Sequence, residues 1–599
     1  MIKQREIKPG ALLLDLDLSG AMWRKIFIVC VSLFCALETN AQQGGEEGAV
    51  AAFLGLSSED EISDEELERF ADLLRRPLQL NSMSRSRLAA SGLFTGYQVA
   101  SLLEHRQRFG DIMSFAELAS VDGFGHQFVE LLRPFVVLEP LGELISSGNS
   151  RRINDMSLRS GYRYGEQGND YQYGFKYSLE AYDALTTSFG FSKGISVKNP
   201  WPSVHSFSAS YDFRKADVKL IFGDFNARLG QGLVAWNGAF INSLTSPSGF
   251  MKKSSGISSV RSFTGGSANT GMAAEYSVGK FTLSASCSFP WVKDVLDGDS
   301  VRQYGLQSVV NMKWWSRIGT IGATTALDYS DIVSQGMAAV RSSVDVALCV
   351  RGTNVFSEVA YDWGANKVGF IAGMDMSPTE SLRLAGLAGS NYGETWQVAL
   401  SSEILPGNSR RHKINLSADM LYYPVPKVEG QQSSVQVKSQ LRWEWKAAEN
   451  LLLRLRLSDR FRTWGLQHRA ELRTEADVPL GILTFGTRLI VLKSHEHSFL
   501  GLLDAAVRSG NLTARLRAGA FQVDHWDDRI YVYEYDAPGS FNVPAYYGRG
   551  VWTSSLVSWK INRSVRLYFR ASYISYCFMS EEKKKPGRAE LKLQSVFKF

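Results

Sequence analysis

From about residue 150 to the carboxy terminus, apolar and polar side chains alternate one for one over roughly 450 residues, a period of two that only strands show. Val435, Val437, Leu441, Trp443 and Trp445 alternate with Gln436, Lys438, Gln440, Arg442 and Glu444. Leu451, Leu453, Leu455 and Leu457 alternate with Arg454, Arg456 and Ser458, and Val565, Leu567 and Phe569 with Arg566, Tyr568 and Arg570. Connectors as short as Gly279-Lys280 and Thr353-Asn354 separate the runs. Successive side chains of a strand point to opposite faces, so each run has one greasy and one polar face. A soluble sandwich also alternates, but rarely for so long. A closed barrel in lipid satisfies every backbone group, with apolar side chains outside and polar ones within. The pattern predicts a large antiparallel transmembrane β-barrel over 150–599, of roughly 22–26 strands and even-numbered if both ends are periplasmic.

The last strand carries a more specific signal. In Arg588-Ala-Glu-Leu-Lys-Leu-Gln-Ser-Val-Phe-Lys-Phe599, Leu591, Leu593, Phe597 and Phe599 are apolar while Glu590, Lys592, Gln594 and Lys598 are polar. A chain ending on such a strand with an aromatic residue resembles bacterial outer-membrane β-barrels. The resemblance implies that Phe599 is the assembly signal, with the barrel-assembly machinery and outer-membrane lipid as partners. It also implies a place in the outer membrane of a Gram-negative bacterium.

The amino end agrees. Met22-Trp-Arg-Lys25 is a positive start, Ile26 to Leu37 an apolar core of about twelve residues, and Thr39-Asn-Ala41 a small-residue cleavage site. That core is too short for a permanent span. Residues 1–41 are therefore expected to be a signal-peptide region whose true start is Met22. Cleavage leaves Cys287, Cys349 and Cys577, an odd and widely spaced set that predicts neither disulfides nor a metal site.

Charge divides the mature chain. Residues 42–140 hold sixteen Asp and Glu against eight Lys and Arg, although the whole chain is +6. Residues 42–79 read as an acidic linker and a helix opened by Ser63, with Asp64, Glu65 and Glu66 in its first turn. Residues 80–140 repeat a short helical design: a turn at Gly92-Leu-Phe94, a capping box Thr95-Gly-Tyr-Gln98, a second box Ser114-Phe-Ala-Glu117, and a turn at Gly123-Phe124-Gly125 before a last helix.

This segment resembles a tandem helix-hairpin-helix module of the ComEA-like competence type. Gly123-Phe124-Gly125 keeps that family's Gly-hydrophobic-Gly, whereas the first hairpin has Phe94 where the second Gly belongs. The resemblance implies contact with DNA phosphates, or with a partner, through Gly92, Gly123, Phe124, Gly125 and His126. Charge argues the other way. DNA affinity comes largely from cations, yet Leu80 to Pro140 holds five Arg against six acids. A module that docks a periplasmic protein is favoured over one that binds DNA, and it is expected in the periplasm rather than as a plug.

Two stretches break the barrel's alternation. Phe222-Gly-Asp-Phe-Asn-Ala-Arg-Leu-Gly-Gln-Gly-Leu233 places Gly223, Gly230 and Gly232 at sharp bends, with Asp224, Arg228 and Gln231 able to form a polar network in the wall. A bulge or inward fold is expected. The pattern resembles that of helix-hairpin-helix-plus-barrel proteins of Bacteroidetes-type bacteria, which the whole chain resembles. The second stretch, Asp524-His-Trp-Asp-Asp528 with Tyr531 to Asn542, is expected to be a solvated outer loop whose aromatics join the interfacial belt.

Catalysis finds little support, with no phosphate loop and no Gly-x-Ser-x-Gly elbow. No cofactor is expected, and His495-Glu-His497 alone is weak grounds for a metal. The inward basic residues Arg454, Arg456, Arg515, Arg517, Arg566 and Arg570 would bias a wet lumen toward anions. Three functions follow: a conduit or assembly scaffold with a docking module, a DNA-uptake device, or an adhesin or glycan binder acting through outer loops.

Overall fold

The computed structural model describes residues 46–54, 56, 62, 64–140 and, apart from connector segments such as 238–243, 329–338 and 579–586, residues 152–599. The expected signal region, 1–41, lies outside the described residues. Twenty-four antiparallel strands close into a barrel, within the expected range. Closure is made by the first wall strand, Ile153–Gly165, and the last, Arg588–Lys598, in the register Asp155↔Lys598 to Tyr164↔Ala589. The final residue completes the seam: Phe599 N–H donates to Asn154 O at 3.1 Å, and Asn154 N–H to Phe599 O at 3.0 Å.

The two faces separate as the alternation requires. Leu591, Leu593, Leu489, Leu503, Val398 and Leu400 are exposed on the outside, with Trp314, Trp363, Trp396 and Trp559 toward the rims. Between them Glu590, Gln594, Arg570 and Arg517 are buried within. An apolar outer belt around a closed sheet is stable only in lipid, and the protein is an outer-membrane β-barrel. No helix among the described residues is long and apolar enough to cross a membrane. One end of the barrel carries tight turns, such as Gly279-Lys280 and Arg351-Gly352, together with Phe599. Short turns mark the periplasmic side and long loops the outer side.

The amino-terminal module comprises helices α1 (Glu46–Leu54), α2 (Asp64–Arg75), α3 (Arg85–Ala90), α4 (Gly96–Phe109), α5 (Phe115–Ser120) and α6 (Gly125–Leu132). Its first helix falls in the expected linker. Glu46–Leu54 is helical because Val50, Ala51 and Phe53 bury one face against Phe70, Phe128 and Phe135, a packing the Gly-flanked sequence hides. The Thr95 box forms with both reciprocal bonds, Gln98 N–H to Thr95 Oγ1 at 3.2 Å and Thr95 N–H to Gln98 Oε1 at 2.9 Å. At the second box Ser114 Oγ accepts Glu117 N–H at 3.1 Å, and the Glu117 carboxylate reaches one residue further, to Met113 N–H at 2.9 Å. That bond, with another from His105, holds the Glu117 carboxyl below its usual range. A two-residue parallel pairing, Leu78–Gln79 with Val136–Val137, ties the ends of the module together.

The module does not hang free. It is seated in the periplasmic mouth of the barrel, with α3 and α4 against the ends of strands Asn269–Val278, Gln307–Ser316 and Gly319–Asp328. Expectation failed here because the motifs of known plugs are absent. The docking is made instead by scattered ion pairs that no local pattern reveals.

Candidate functional site in the occupied lumen

Three bodies enter the lumen from its two ends. The first is the module. Arg76 pairs with Asp155 and, at 3.4 Å, with Glu180. Arg87 pairs with Asp212 at 2.5 Å, and Arg261 with Asp72 at 3.4 Å. Arg317 reaches Glu104 at 3.1 Å, and Arg228 reaches Glu66 at 3.9 Å. Arg442 donates to the carbonyl of Leu56 at 3.1 Å, so the connection after α1 reaches the inner wall.

The second body is the segment after strand Val218–Arg228, which turns inward at the glycine motif. Gly223 takes φ +94°, and a Cβ there would stand 2.3 Å from Phe207 O, so only glycine fits. Asp224 accepts Phe207 N–H at 3.1 Å and the Thr270 hydroxyl at 2.5 Å, pinning the bend to strands on both sides. The next turn reaches the wall six strands away, at Thr353–Asp362. Glu358 Oε2 accepts Gln231 N–H at 2.6 Å and Leu233 N–H at 3.1 Å, and Gly230 (φ +58°) lies so close that a Cβ would touch its carboxylate. Gln231 then clamps Lys252 through main-chain N–H and C=O, and Gly232 (φ +88°) lies against Lys252 Nζ and the Trp236 ring. Arg228 lies 6.0 Å over that ring while reaching Glu66 of the module. The six motif residues thus anchor an inward loop that touches the plug. Lys253, further along it, donates to Leu93 O at 3.0 Å and lies over the Phe53 ring at 4.5 Å. Burial, with Arg69 and Arg383 nearby, pushes its ammonium down to about 7.

The third body is Tyr531 to Asn542, expected as a solvated loop. It folds into the lumen instead. Tyr533, Glu534, Asp536 and Ala537 are buried, and the reason is charge. Glu534 accepts Trp552 Nε1–H at 2.9 Å, Tyr546 Oη–H at 3.0 Å and the Ser554 hydroxyl, and lies 3.7 Å from Arg517. Asp536 pairs with Lys592 at 2.7 Å and Arg570 at 3.7 Å. Arg515 and Arg517 lie 4.4 and 4.6 Å over the Tyr535 ring.

The expected basic lining is therefore largely neutralised. Arg454 pairs with Asp477 and Glu475 at 2.5 and 3.3 Å, and Arg456 with Glu471 at 2.6 Å. Arg517 pairs with Asp504 at 2.6 Å, and Arg570 also with Glu590 at 3.7 Å. Arg566 donates to Tyr568 Oη at 3.3 Å. A different inward row, Lys438, Arg460 and Arg469 in register across three strands with Arg462 beside it, forms a cationic patch near the outer mouth. Arg460 Nε is buried without a hydrogen-bond partner. The signal was in the sequence: Arg460 and Arg462 share the inward parity of Arg454 and Arg456 on their strand, and Arg469 lies in register with Arg460 on the next.

The hairpin residues divide. Gly92 (φ +68°) is packed under the Arg69 guanidinium, so the first turn is covered. Gly123 (φ +84°) abuts Tyr97 and gives its carbonyl to Gln98 Nε2–H at 2.7 Å. Phe124 is core, against Phe94 and Phe128. Gly125 and His126 are exposed, with His126 3.9 Å from Glu130. Cys287, Cys349 and Cys577 are free thiols.

No known family profile and no curated protein matches the chain. Among solved structures it is similar to the siderophore receptor PirA of Pseudomonas aeruginosa at 9% identity, TM-score 0.41, covering 75% of this chain and 81% of that one. It is similar to the copper transporter OprC at 9% identity, TM-score 0.41, covering 75% and 83%. For the FrpB iron transporter of Neisseria meningitidis the figures are 9%, 0.37, 76% and 83%. At these values the similarity carries no argument about ligand or partner.

Proposed function

We propose that the protein is a gated outer-membrane conduit whose helical module is a removable plug. One observation carries this reading. The module's hydrophobic core is its own, drawn from residues 50–136 with Trp315 as its one barrel member among the described residues, while its seat in the mouth is made mainly of ion pairs and single hydrogen bonds. A body with a self-contained core and a polar docking face can leave without unfolding, in the manner of transient domain interfaces. The exposed pair, Arg317 with Glu104, is weak and salt-screened, and the others are charge contacts that can part without opening the module's core. The module also presents Phe109, Met113 and Leu131 to solvent, exposed apolar side chains of the kind a periplasmic protein partner would grip. Asp122 and Glu130 flank the exposed turn at Gly125 and His126, which favours a protein over DNA as that partner. The test is planar-bilayer recording of the full chain beside an Arg76→Glu, Arg87→Glu variant. A closed wild type and a variant with frequent openings support the proposal. Equal steady conductance in both would reject it. Duplex DNA added from the periplasmic side at low salt is the competing ligand, and its binding would move the reading to DNA uptake.

A further inference from the structure

The outer loops bring together three metal-ligating side chains that the sequence keeps apart. His495, in the turn between strands Leu483–Lys493 and His497–Ser509, meets His525 and Asp527 of the loop after strand Leu512–Val523. Their ligand atoms all lie within 4.8 Å of one another, and His495 Nε2 is 3.8 Å from Asp527 Oδ2. The two imidazole centroids are 4.7 Å apart. His497, the nearer histidine in sequence, is not among the three. All three are exposed at the outer rim, where a hydrated ion has free access.

The two loops are also fastened to each other. Asp528 is fully buried, and its carboxylate accepts the Ser494 hydroxyl and, at 3.2 Å, Glu496 N–H, one residue on either side of His495. Arg469 donates to the carbonyls of Asp527 and Arg529, each at 3.0 Å. The partner loop is thereby held in place beneath the histidines, so the three donors are presented together rather than by chance encounter.

We propose that His495, His525 and Asp527 form a site for a borderline divalent transition-metal ion, Zn²⁺ or Cu²⁺, with water completing the coordination. Two imidazoles and one carboxylate with an open position are a donor set such ions favour. Zn–N and Zn–O bonds of about 2.0–2.2 Å require the donors to close in by roughly an ångström, within reach of exposed side chains. The site has a structural consequence. Asp527 lies four residues before Tyr531, where the chain enters the lumen, so a bound ion fastens the root of the inward loop to the neighbouring turn.

The test uses tag-free, full-length protein in detergent, stripped with chelator and titrated calorimetrically with Zn²⁺ alone. One ion per chain is expected. His495→Ala and His525→Ala should each weaken binding at least about ten-fold, the loss that even an outer-shell change produces in metal sites. Asp528→Asn, a positioning change, should weaken it while leaving two-imidazole hyperfine structure in the Cu²⁺ spectrum. Absence of Zn²⁺ binding, or binding that survives in the His495→Ala, His525→Ala double variant, would overturn the assignment. All three positions are exposed, so folding of the histidine variants is not at risk.

Discussion

Lys253 Nζ donates to the carbonyl of Leu93 at 3.0 Å, and through that bond the inward loop and the helical plug hold each other. The ammonium is deeply buried beside Arg69 and Arg383, and its folded value of about 7 lies below the ~10.4 of a free lysine. Between those two values the unfolded chain binds more protons than the folded one, so stability rises with pH. Docking should therefore tighten from about pH 7 toward pH 10, read as slower proteolysis of the module. Lys253→Met should flatten that rise. A variant with the same slope as wild type would place the pH dependence elsewhere.

Arg517 and Glu534 form a buried pair whose members were expected in different environments, a pore wall and a solvated loop. Removing one partner leaves a charge uncompensated, so Arg517→Ala should cost about 3–5 kcal/mol. The double change Arg517→Met, Glu534→Gln should recover much of that. Urea midpoints in detergent give the comparison, and a single variant as stable as wild type would contradict the inward loop.

Gly223 is constrained by space as well as by φ, since a Cβ would meet Phe207 O at 2.3 Å. Gly223→Ala should destabilise by roughly 1–3 kcal/mol or more and lower the yield of folded barrel. Gly279→Ala has positive φ but nothing within 4 Å, and it serves as the milder control.

Arg460 stands in register with Lys438 and Arg469 and its Nε is buried without a hydrogen-bond partner, so it should govern ion preference once the conduit is open. In the Arg76→Glu, Arg87→Glu background, Arg460→Glu should shift the reversal potential in a salt gradient away from anions. Neutralising Arg454, already paired with Asp477, should shift it less.

Much of the wall was legible because its alternation is a local property. Leu591 and Gln594 point where parity sends them. What could not be read is what fills the wall. Tyr531 to Asn542 looked solvated because its acids were counted without the cations they meet, Arg517, Arg570 and Lys592, which lie on other strands. The plug was missed for the same reason, its contacts such as Arg76 with Glu180 spanning long separations. His495 meets His525 only because two outer loops converge, while the adjacent His497 was the more visible candidate.

The removable plug can be tested at one contact. A Cβ on Gly96 would lie 3.5 Å from Thr320 Cβ, within the range a disulfide spans. A Gly96→Cys, Thr320→Cys protein, with the native cysteines changed to serine, can therefore be locked by oxidation and released by reductant. Bilayer current through the Arg76→Glu, Arg87→Glu form should vanish on oxidation and return on reduction. Current that persists through the locked barrel would show that ions do not pass where the module sits, and the plug account would fall.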